Sequence, residues 1–333
     1  TPLTDTDGDT VVDTGPIPEG SSLSFIARVK APDSGAVGDE EDNVVVARSS
    51  LDTSRSDQCL LQGTIPSRFA QVYSDDNNGK MNLYLVAPDQ QVVKDAASGS
   101  EYGSGMSVHR TPGGKYVYGW NTFRSVDSIY VSEVKYSLLD HTGNTLVPPT
   151  KVTDHSGAGV STYDGDPGFA VAPNGNMGVV WSQRKYDQDT EDSNENIYFA
   201  ILGEDGSFIH GPENITHNTD WGKWDTPYLP HYYGQHVRAT PDNRFIFTWE
   251  KWYRDDNDNY FDEVYYAVRG PSGGVTKSRT KLGDYEDPNL ASLAGNKTLL
   301  ISDYEADIYY HVLDSSGNIV KGSTNLTGDG TAS

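Results

Sequence analysis

One recurring phrase constrains the fold of this chain more than any other feature. A turn with proline or glycine leads into a short apolar strand, as in TPGGKYVYGW, APNGNMGVVW and TPDNRFIFTW. In these three copies a proline lies eight residues before a tryptophan, the pairs being Pro112 with Trp120, Pro173 with Trp181, and Pro241 with Trp249. Turn residues between β-branched and aromatic runs predict antiparallel hairpins.

Two further segments, LAGNKTLLIS and TIPSRFAQVY, extend the series to five copies. Each copy is followed by an alternating strand that opens with an acid or an amide, and several units close with a short strand ending in threonine (KVT, NIT, NLT). No long segment shows the apolar spacing of an amphipathic helix. Four-stranded units at such a period predict an all-β fold, a five-bladed β-propeller over residues 56–333. The tryptophans are predicted to pack between blades.

Residues 1–55 differ from the repeats. They hold an acidic segment, an alternating strand (Leu23, Phe25, Ala27, Val29) and a second strand at 44–47. This region resembles the C-terminal half of an immunoglobulin-like repeat of bacterial surface proteins, so the resemblance implies a partial β-sandwich. The remainder resembles the extracellular propeller repeats of bacterial surface proteins. It lacks the Gly-His and Trp-Asp signature of WD repeats and the Asp-box of sialidases.

Charge and composition narrow the partners. The formal net charge is −23, which repels phosphate backbones and argues against nucleic acid. No apolar run is long enough to span a bilayer. The single cysteine, Cys59, lies in an apolar strand and is interpreted as an inert buried thiol. The surface-protein resemblance predicts an extracellular or cell-surface location.

Acid-rich loops predict calcium as a ligand. The N-terminal loop alternates carboxylates with the spacing of an Asp-rich calcium loop, although Thr10 replaces the usual glycine. Three hairpin loops repeat oxygen-bearing residues at related spacings; the alternative for every loop is a solvated acidic turn. The predicted ligands are Asp5, Asp7, Asp9 and Asp13; Asp76, Asn78 and Asn82; Asp187, Asp189, Glu191 and Glu195; and Asp255, Asn257, Asn259 and Glu263.

The loop HNTDWGKWDTPYLPHYYGQH at 217–236 concentrates aromatic residues. Exposed rings suit stacking on sugars or anchoring of a protein partner. The alternative is a loop folded over its own blade. The candidate ligand-binding residues are Trp221, Trp224, Tyr228, Tyr232 and Tyr233.

No common catalytic motif occurs in the chain. Asp164, Asp166, Glu250, Asp287 and Asp303 lie near predicted strand ends, but carboxylates are too abundant for a pair to be chosen from the sequence. The sequence therefore predicts a non-enzymatic, calcium-stabilised structural or adhesive protein. Because the N-terminal strands lack a partner sheet, it also predicts head-to-tail self-assembly into a filament or layer, or binding to other surface proteins. The alternative is a carbohydrate-binding or glycosidase propeller.

Overall fold

A computed structural model describes residues 104–125, 128–140, 143–305 and 307–328 with their side chains. It also describes the backbone of the strands at 40–48, 56–64, 69–75, 80–86 and 92–103, and of residue 126. The chain divides into two compact units, Thr1–Pro66 and Ser67–Ser333. No helix of the described residues is long and apolar enough to cross a membrane.

The first unit contains an antiparallel pair, β1 (Glu40–Arg48) and β2 (Ser56–Thr64). The two strands pair along their whole length, with Val45 opposite Cys59. The strand predicted at 44–47 is therefore part of β1. The division falls after Pro66, not after residue 55, because β2 pairs with β1. The strand predicted around Phe25 lies outside the described residues.

The second unit is a β-propeller built from consecutive antiparallel sheets. The strands are β3 (Phe69–Asp75), β4 (Lys80–Val86), β5 (Val92–Arg110), β6 (Tyr116–Val126), β7 (Ile129–Leu139), β8 (Thr145–Lys151), β9 (Ser161–Asp164), β10 (Gly168–Val171), β11 (Met177–Tyr186), β12 (Ser193–Leu202), β13 (Phe208–Asn214), β14 (His231–Ala239), β15 (Phe245–Arg254), β16 (Tyr260–Arg269), β17 (Val275–Gly283), β18 (Glu286–Leu293), β19 (Lys297–Tyr304), β20 (Asp307–Asp314) and β21 (Ile319–Asn325).

Four complete blades follow one another along the chain. Blade I is the C-terminal half of β5 with β6, β7 and β8, and blade II is β9 and β10 with β11, β12 and β13. Blade III is β14 to β17 and blade IV is β18 to β21. The N-terminal half of β5 pairs with β4, and β4 pairs with β3, in a sheet that precedes blade I. A closed ring of five blades stays a prediction.

The three repeated tryptophans occupy equivalent positions, as the repeat predicts. Trp120, Trp181 and Trp249 each lie in the second strand of a blade, opposite Lys135, Tyr198 and Tyr265 on the third strand. Their exposed fractions are 3%, 0% and 0%. Among the described residues none of the three indole N–H groups has a hydrogen-bond partner.

Adjacent blades bury apolar side chains against each other. One cluster joins blades I and II around Trp181, one joins blades II and III around Phe199 and Trp249, and one joins blades III and IV around Ile246 and Leu300. Middle strands such as β12 are therefore covered on both faces, and their burial is almost continuous. Burial on both faces explains the long apolar runs that follow each turn.

The threonine that closes several units has a defined role. Its hydroxyl accepts the N–H of a residue on the third strand of the same blade, which continues the pairing beyond the last strand. The pairs are Val134 N to Thr153 Oγ1 (2.9 Å), Ile197 N to Thr216 Oγ1 (3.0 Å) and Ile308 N to Thr327 Oγ1 (3.1 Å).

Each innermost strand contains a bulge at the same height. The pairing register shifts between Ser104 and Ser107 in blade I, between Tyr233 and His236 in blade III, and between Glu286 and Asn289 in blade IV. In blade II the gap between β9 and β10 interrupts the inner strand at the corresponding place. A bulge turns side chains out of the regular alternation of a strand. The bulges therefore determine which side chains the innermost strands present to one another.

Candidate functional site

The bulges place polar groups of successive blades within hydrogen-bond distance of one another. The Ser104 hydroxyl of blade I donates to Asp166 Oδ1 of blade II (3.1 Å). Gln235 of blade III donates from Nε2 to the carbonyl oxygen of Asp166 (2.5 Å). Asp287, in the bulge of blade IV, has a positive φ of 45°. Asp166 and Asp287 are both exposed.

The residue after each repeated tryptophan lies behind these bulges. Asn121 accepts from Ser104 N in its own blade (2.9 Å) and donates to the Asp164 carbonyl oxygen of the next blade (3.1 Å). Glu250 occupies the same position in blade III, and its Oε2 accepts from Asp287 N of blade IV (2.8 Å). A blade-joining position thus holds an amide in blade I and a carboxyl in blade III.

Glu250 is the most perturbed acid of this region. Only 1% of the residue is exposed. Burial raises the pKa of Glu250 to about 7; hydrogen bonds from Tyr233 and from Asp287 N oppose the rise, and the nearby Asp262 adds to it. A carboxyl with such a pKa holds its proton through much of the neutral range and can release it there.

Further carboxyls surround Glu250 and define, together with it, the inner acid cluster: Glu250, Asp262, Glu286, Asp287 and Asp303. Glu286 pairs directly across the sheet with Asp303. Burial raises the pKa of Glu286, and Asp262, Asp303 and Asp287 add to it. Burial likewise raises the pKa of Asp303, with Asp287 adding to it.

Tyr233 connects the buried acid to this cluster. Its hydroxyl donates to Asp262 Oδ1 (3.3 Å), and Tyr233 lies directly opposite Glu250 in the pairing of β14 with β15. Burial raises the pKa of Tyr233 far above its usual range, and the Glu250 carboxyl adds to it. The ring itself is 42% exposed. Tyr233 therefore links a buried proton donor with the surface.

Asp164, in contrast, is a structural acid. It is 1% exposed, and its carboxylate accepts from Thr153 Oγ1 and Gln183 Nε2 and contacts His155 Nε2 at 2.8 Å. These partners lie in blades I and II and in their connection. The carboxylate holds the two blades together.

A second concave feature, the II/III cleft, opens between blades II and III. Its volume is about 310 Å³. It is lined by the connection from β13 to β14 and by blade III, with the residues Thr216, His217, Asn218, Thr219, Asp220, Tyr228, Pro230, Tyr232, Trp249, Lys251, Tyr265 and Arg279.

The five aromatic residues predicted to bind a ligand do not form one site. Tyr228 and Tyr232 line the II/III cleft, whereas Tyr233 faces the inner acid cluster. Neighbours along a strand point to opposite faces, which separates Tyr232 from Tyr233. Trp224 folds over its own blades, with its ring against His231 (3.9 Å between centroids) and beneath the Arg184 guanidinium. Trp221 is 46% exposed.

In the loop between β11 and β12 of blade II, the predicted calcium ligands contact different partners. Asp187 Oδ1 accepts from Asp189 N (2.9 Å) and closes its own turn, and Glu191 pairs with Lys223 (2.9 Å). Glu195 is buried, where it accepts from Tyr232 N (2.9 Å) and contacts His231 Nδ1 (3.2 Å). Their spacing in sequence does not bring their carboxylates to one point.

The predicted ligands in the loop between β15 and β16 of blade III are also separated. Asp255 Oδ1 accepts from Asn257 N (2.8 Å) and Asn259 N (2.9 Å), while Glu263 pairs with Lys251 and Lys281. The Asp and Asn spacing therefore closes a hairpin turn, and Asp314 with Asn318 repeats it in blade IV.

Among the described residues, no three Asp, Glu, His or Cys side chains are arranged to hold an ion. The predicted ligands Asp5, Asp7, Asp9 and Asp13 lie outside the described residues, as do Asp76 and Asn78 and the side chain of Asn82. Calcium binding at those positions stays a prediction.

Sequence reasoning named Asp166, Glu250, Asp287 and Asp303 but could not group them. The signal that was available is positional: Glu250 and Asp303 occupy the position that follows the end of the recurring phrase. Lys251 and Arg279 of the cleft were missed, because only the folded chain brings blade III against the loop at 217–236.

Comparison with known proteins places carbohydrate-active enzymes among the similar structures. No protein-family model matches the chain, and no curated protein matches it. The polysaccharide lyase Uly1 is similar with a TM-score of 0.49 and 10% identity, covering 94% of this chain and 85% of that chain. An α-L-arabinanase from Penicillium chrysogenum is similar with a TM-score of 0.41 and 11% identity, covering 66% and 65%. An endo-arabinase from Bacteroides thetaiotaomicron has a TM-score of 0.36 and 13% identity, covering 78% and 93%.

These findings correct the function predicted from the sequence. The expectation of a non-enzymatic structural or adhesive protein is contradicted by the similar solved structures, which are a polysaccharide lyase and two arabinanases; at 10–13% identity the likeness itself shows the fold alone. None of these findings supports the expectation of self-assembly into a filament or layer. The chain contains so many acidic residues that the sequence did not show which few carboxyls the inner bulges bring together.

Proposed function

We propose that this chain is a carbohydrate-active enzyme that hydrolyses glycosidic bonds at the inner acid cluster. The observation that carries the proposal is Glu250, a buried carboxyl with a pKa of about 7 among other carboxyls. Hydrolysis of a glycosidic bond needs a carboxylic acid and a carboxylate in one site. Environments that push carboxyl pKa values apart assign those two roles.

Glu250 is the general acid in this proposal. Because it is buried, its proton reaches the substrate through the hydroxyl of Tyr233, which lies opposite Glu250 on the neighbouring strand and is 42% exposed. The hydroxyl turns from Asp262 to the glycosidic oxygen and donates its proton as that oxygen leaves, and in the same step it takes the Glu250 proton, so no tyrosinate forms. Tyr233 thus ends each cycle in its starting state.

Asp287 is the partner carboxylate. The residue is exposed, and its backbone N–H donates to Glu250 Oε2 (2.8 Å), so Asp287 lies directly beside the buried acid. Asp287 takes a proton from water while the water oxygen bonds to the anomeric carbon. One C–O bond breaks and one forms, and the proton that Glu250 lost is recovered from Asp287 through solvent.

Electrostatics favours an uncharged glycan as the substrate. The chain carries a net charge of −23, and the charged neighbours that raise the pKa values of Glu286 and Asp303 are carboxylates. A uronate polymer would be repelled by this site. A neutral polysaccharide meets no such barrier.

The test is release of reducing ends from neutral polysaccharides such as arabinan, xylan and β-glucan at pH 6 to 7. We expect Glu250→Gln and Asp287→Asn each to lower the rate at least about a hundredfold, as the loss of an acid or base does. Glu204→Gln is the matched control, since Glu204 pairs with Lys115 at the opposite end of the blade. Wild-type activity in a folded Glu250→Gln variant, or unsaturated products absorbing in the ultraviolet, would contradict hydrolysis by Glu250.

We also propose an extracellular location, because polymeric glycans are substrates met outside the cell. Secretion of the full-length protein into the medium of its native host, measured by immunoblot, tests the location. Its retention inside intact cells would contradict the proposal.

Calcium binding is proposed for the N-terminal loop with Asp5, Asp7, Asp9 and Asp13, whose spacing suits a hard cation. A ligand that binds the native state alone raises thermal stability. Titration calorimetry with calcium alone, compared between the wild type and Asp5→Asn with Asp9→Asn, tests the loop. Equal binding heats in both proteins would contradict it.

A further inference from the structure

We propose that the II/III cleft is a second carbohydrate site, which binds one or two uncharged sugar units without cleaving them. Its volume of about 310 Å³ lies at the lower end of the range for small-molecule sites. It is a concave place on blade III away from the inner acid cluster, and it contains part of the aromatic loop that the reaction does not use.

Strand alternation keeps the two sites apart. Trp249 and Lys251 line the cleft, whereas Glu250 between them points to blade IV, where it accepts from Asp287 N. Tyr232 and Tyr233 divide in the same way on β14. Strand β15 therefore separates the sites, and a ligand in the cleft does not touch Glu250.

Aromatic side chains form one wall of the cleft. Trp249 and Tyr265 stack on each other with centroids 5.9 Å apart and an interplanar angle of 12°. Trp249 (0% exposed) and Tyr232 (6% exposed) lie beneath the surface of the cleft, so the rings that a sugar can reach are those of the half-buried Tyr265 and of Tyr228, which is 56% exposed. Rigid rings with a polar edge suit the apolar face of a sugar ring, because they bury carbon–hydrogen groups and still meet hydroxyls.

Polar groups form the other wall, and both donors and acceptors are present. The exposed Arg279 guanidinium uses one N–H group on the Thr216 carbonyl oxygen (2.9 Å) and lies over the Tyr265 ring at 5.8 Å. Asp220 supplies carboxylate oxygens, and Thr219 supplies a hydroxyl. The guanidinium donates hydrogen bonds and the carboxylate accepts them. Both therefore match the hydroxyl groups of a sugar, each of which can donate and accept.

Charge selects an uncharged sugar. Lys251 lines the cleft, but its Nζ is held by Glu263 Oε2 at 3.1 Å, and Arg279 faces a cleft that also contains Asp220. The cleft is therefore close to neutral overall, inside a protein with a net charge of −23. A carboxylated sugar could pair with Arg279, but the negative net charge of the protein would repel it.

The choice of ligand rests on the proposed function, since both sites would hold parts of one neutral polysaccharide. Occupation of the cleft would keep a polymer on the enzyme between cleavages, because a second contact raises the effective concentration of the chain at the first. Binding in the cleft needs no turnover, so it is measured separately from catalysis.

The experiment measures binding of arabinotriose, xylotriose, cellotriose and trigalacturonate by titration calorimetry and by saturation-transfer NMR. The protein is full-length Glu250→Gln, which prevents cleavage. In this background Arg279→Ala and Tyr228→Ala test the cleft. Arg110→Ala and Tyr130→Ala are the controls, since Arg110 and Tyr130 are similarly exposed and lie outside it; Tyr130 is 54% exposed.

We expect at least one neutral trisaccharide to bind, and Arg279→Ala to weaken it about tenfold, because a hydrogen bond from a charged group is lost. Tyr228→Ala should weaken it several-fold, and both controls should bind as the parent does. Absence of binding by all three neutral sugars up to 10 mM, equal effects of cleft and control variants, or binding of trigalacturonate alone would overturn the proposal. Binding that survives while the wild type shows no hydrolysis would overturn the catalytic assignment and leave the cleft site standing.

Discussion

The raised pKa of Glu250 makes a prediction about stability at the residue scale. Its pKa is about 7 in the folded protein, above the value of 4.5 expected without the fold, so the folded state holds the proton more tightly. The contribution of this group to the free energy of unfolding should therefore be largest below about pH 4.5 and fall as pH rises through 7, by about 1 to 3 kcal/mol. Urea unfolding of the wild type and of Glu250→Gln from pH 4.5 to 8 measures this contribution. The free energy of unfolding of the wild type should fall relative to that of Glu250→Gln as pH rises. A pH-independent difference would contradict the buried acid.

Glu133 is the opposite case. It is 1% exposed, and burial alone would raise its pKa, but hydrogen bonds from His155 N, Lys151 and Arg124 lower it overall. Its stabilising contribution is present above pH 4.5 and is lost as pH falls below that value. We expect Glu133→Gln to cost about 2 to 4 kcal/mol at pH 7, because two cations lose a buried partner. The control Glu204→Gln should change the free energy of unfolding by less than about 1 kcal/mol.

The inner bulges carry a prediction at the scale of elements. Gly105 has a φ of +59°, and a Cβ there would lie 2.6 Å from the Asp166 backbone Cα. We expect Gly105→Ala to destabilise the protein by about 1 to 3 kcal/mol and to displace Asp166. Gly211→Ala in β13 is the control, since a Cβ there meets nothing within 4 Å. Thermal unfolding compares the two variants, and equal melting temperatures would show that the blade I bulge tolerates movement.

Elements also show how far the sequence could predict this molecule. The eight-residue offset from proline to tryptophan was enough to align second strands, because each tryptophan occupies the same position in the second strand of its blade. The bulges share no sequence motif, since the residue with a positive φ is Gly105 in blade I, Gly234 in blade III and Asp287 in blade IV. The spacing of Asp255 and Asn259 predicted calcium, although the same spacing closes a hairpin through backbone N–H groups. Local patterns determined strands and turns, whereas the site depends on contacts between blades.

The charge of the whole molecule leads to the last prediction. A net charge of −23 is spread over the acid-rich loops, and exposed like charges repel one another across the folded surface. Salt shortens the range of such repulsion from about 30 Å at 0.01 M to about 8 Å at 0.15 M, while buried ion pairs such as Glu133 with Lys151 are screened much less. Salt therefore weakens the repulsion between exposed charges more than the attraction within ion pairs. The melting temperature at pH 7 should rise between 10 and 150 mM sodium chloride. At pH 4.5, near the sequence pI of 4.5, the rise should disappear because the net charge approaches zero. Differential scanning calorimetry at the two pH values checks this, and a melting temperature that falls with salt at pH 7 would mean that exposed ion pairs outweigh the net charge.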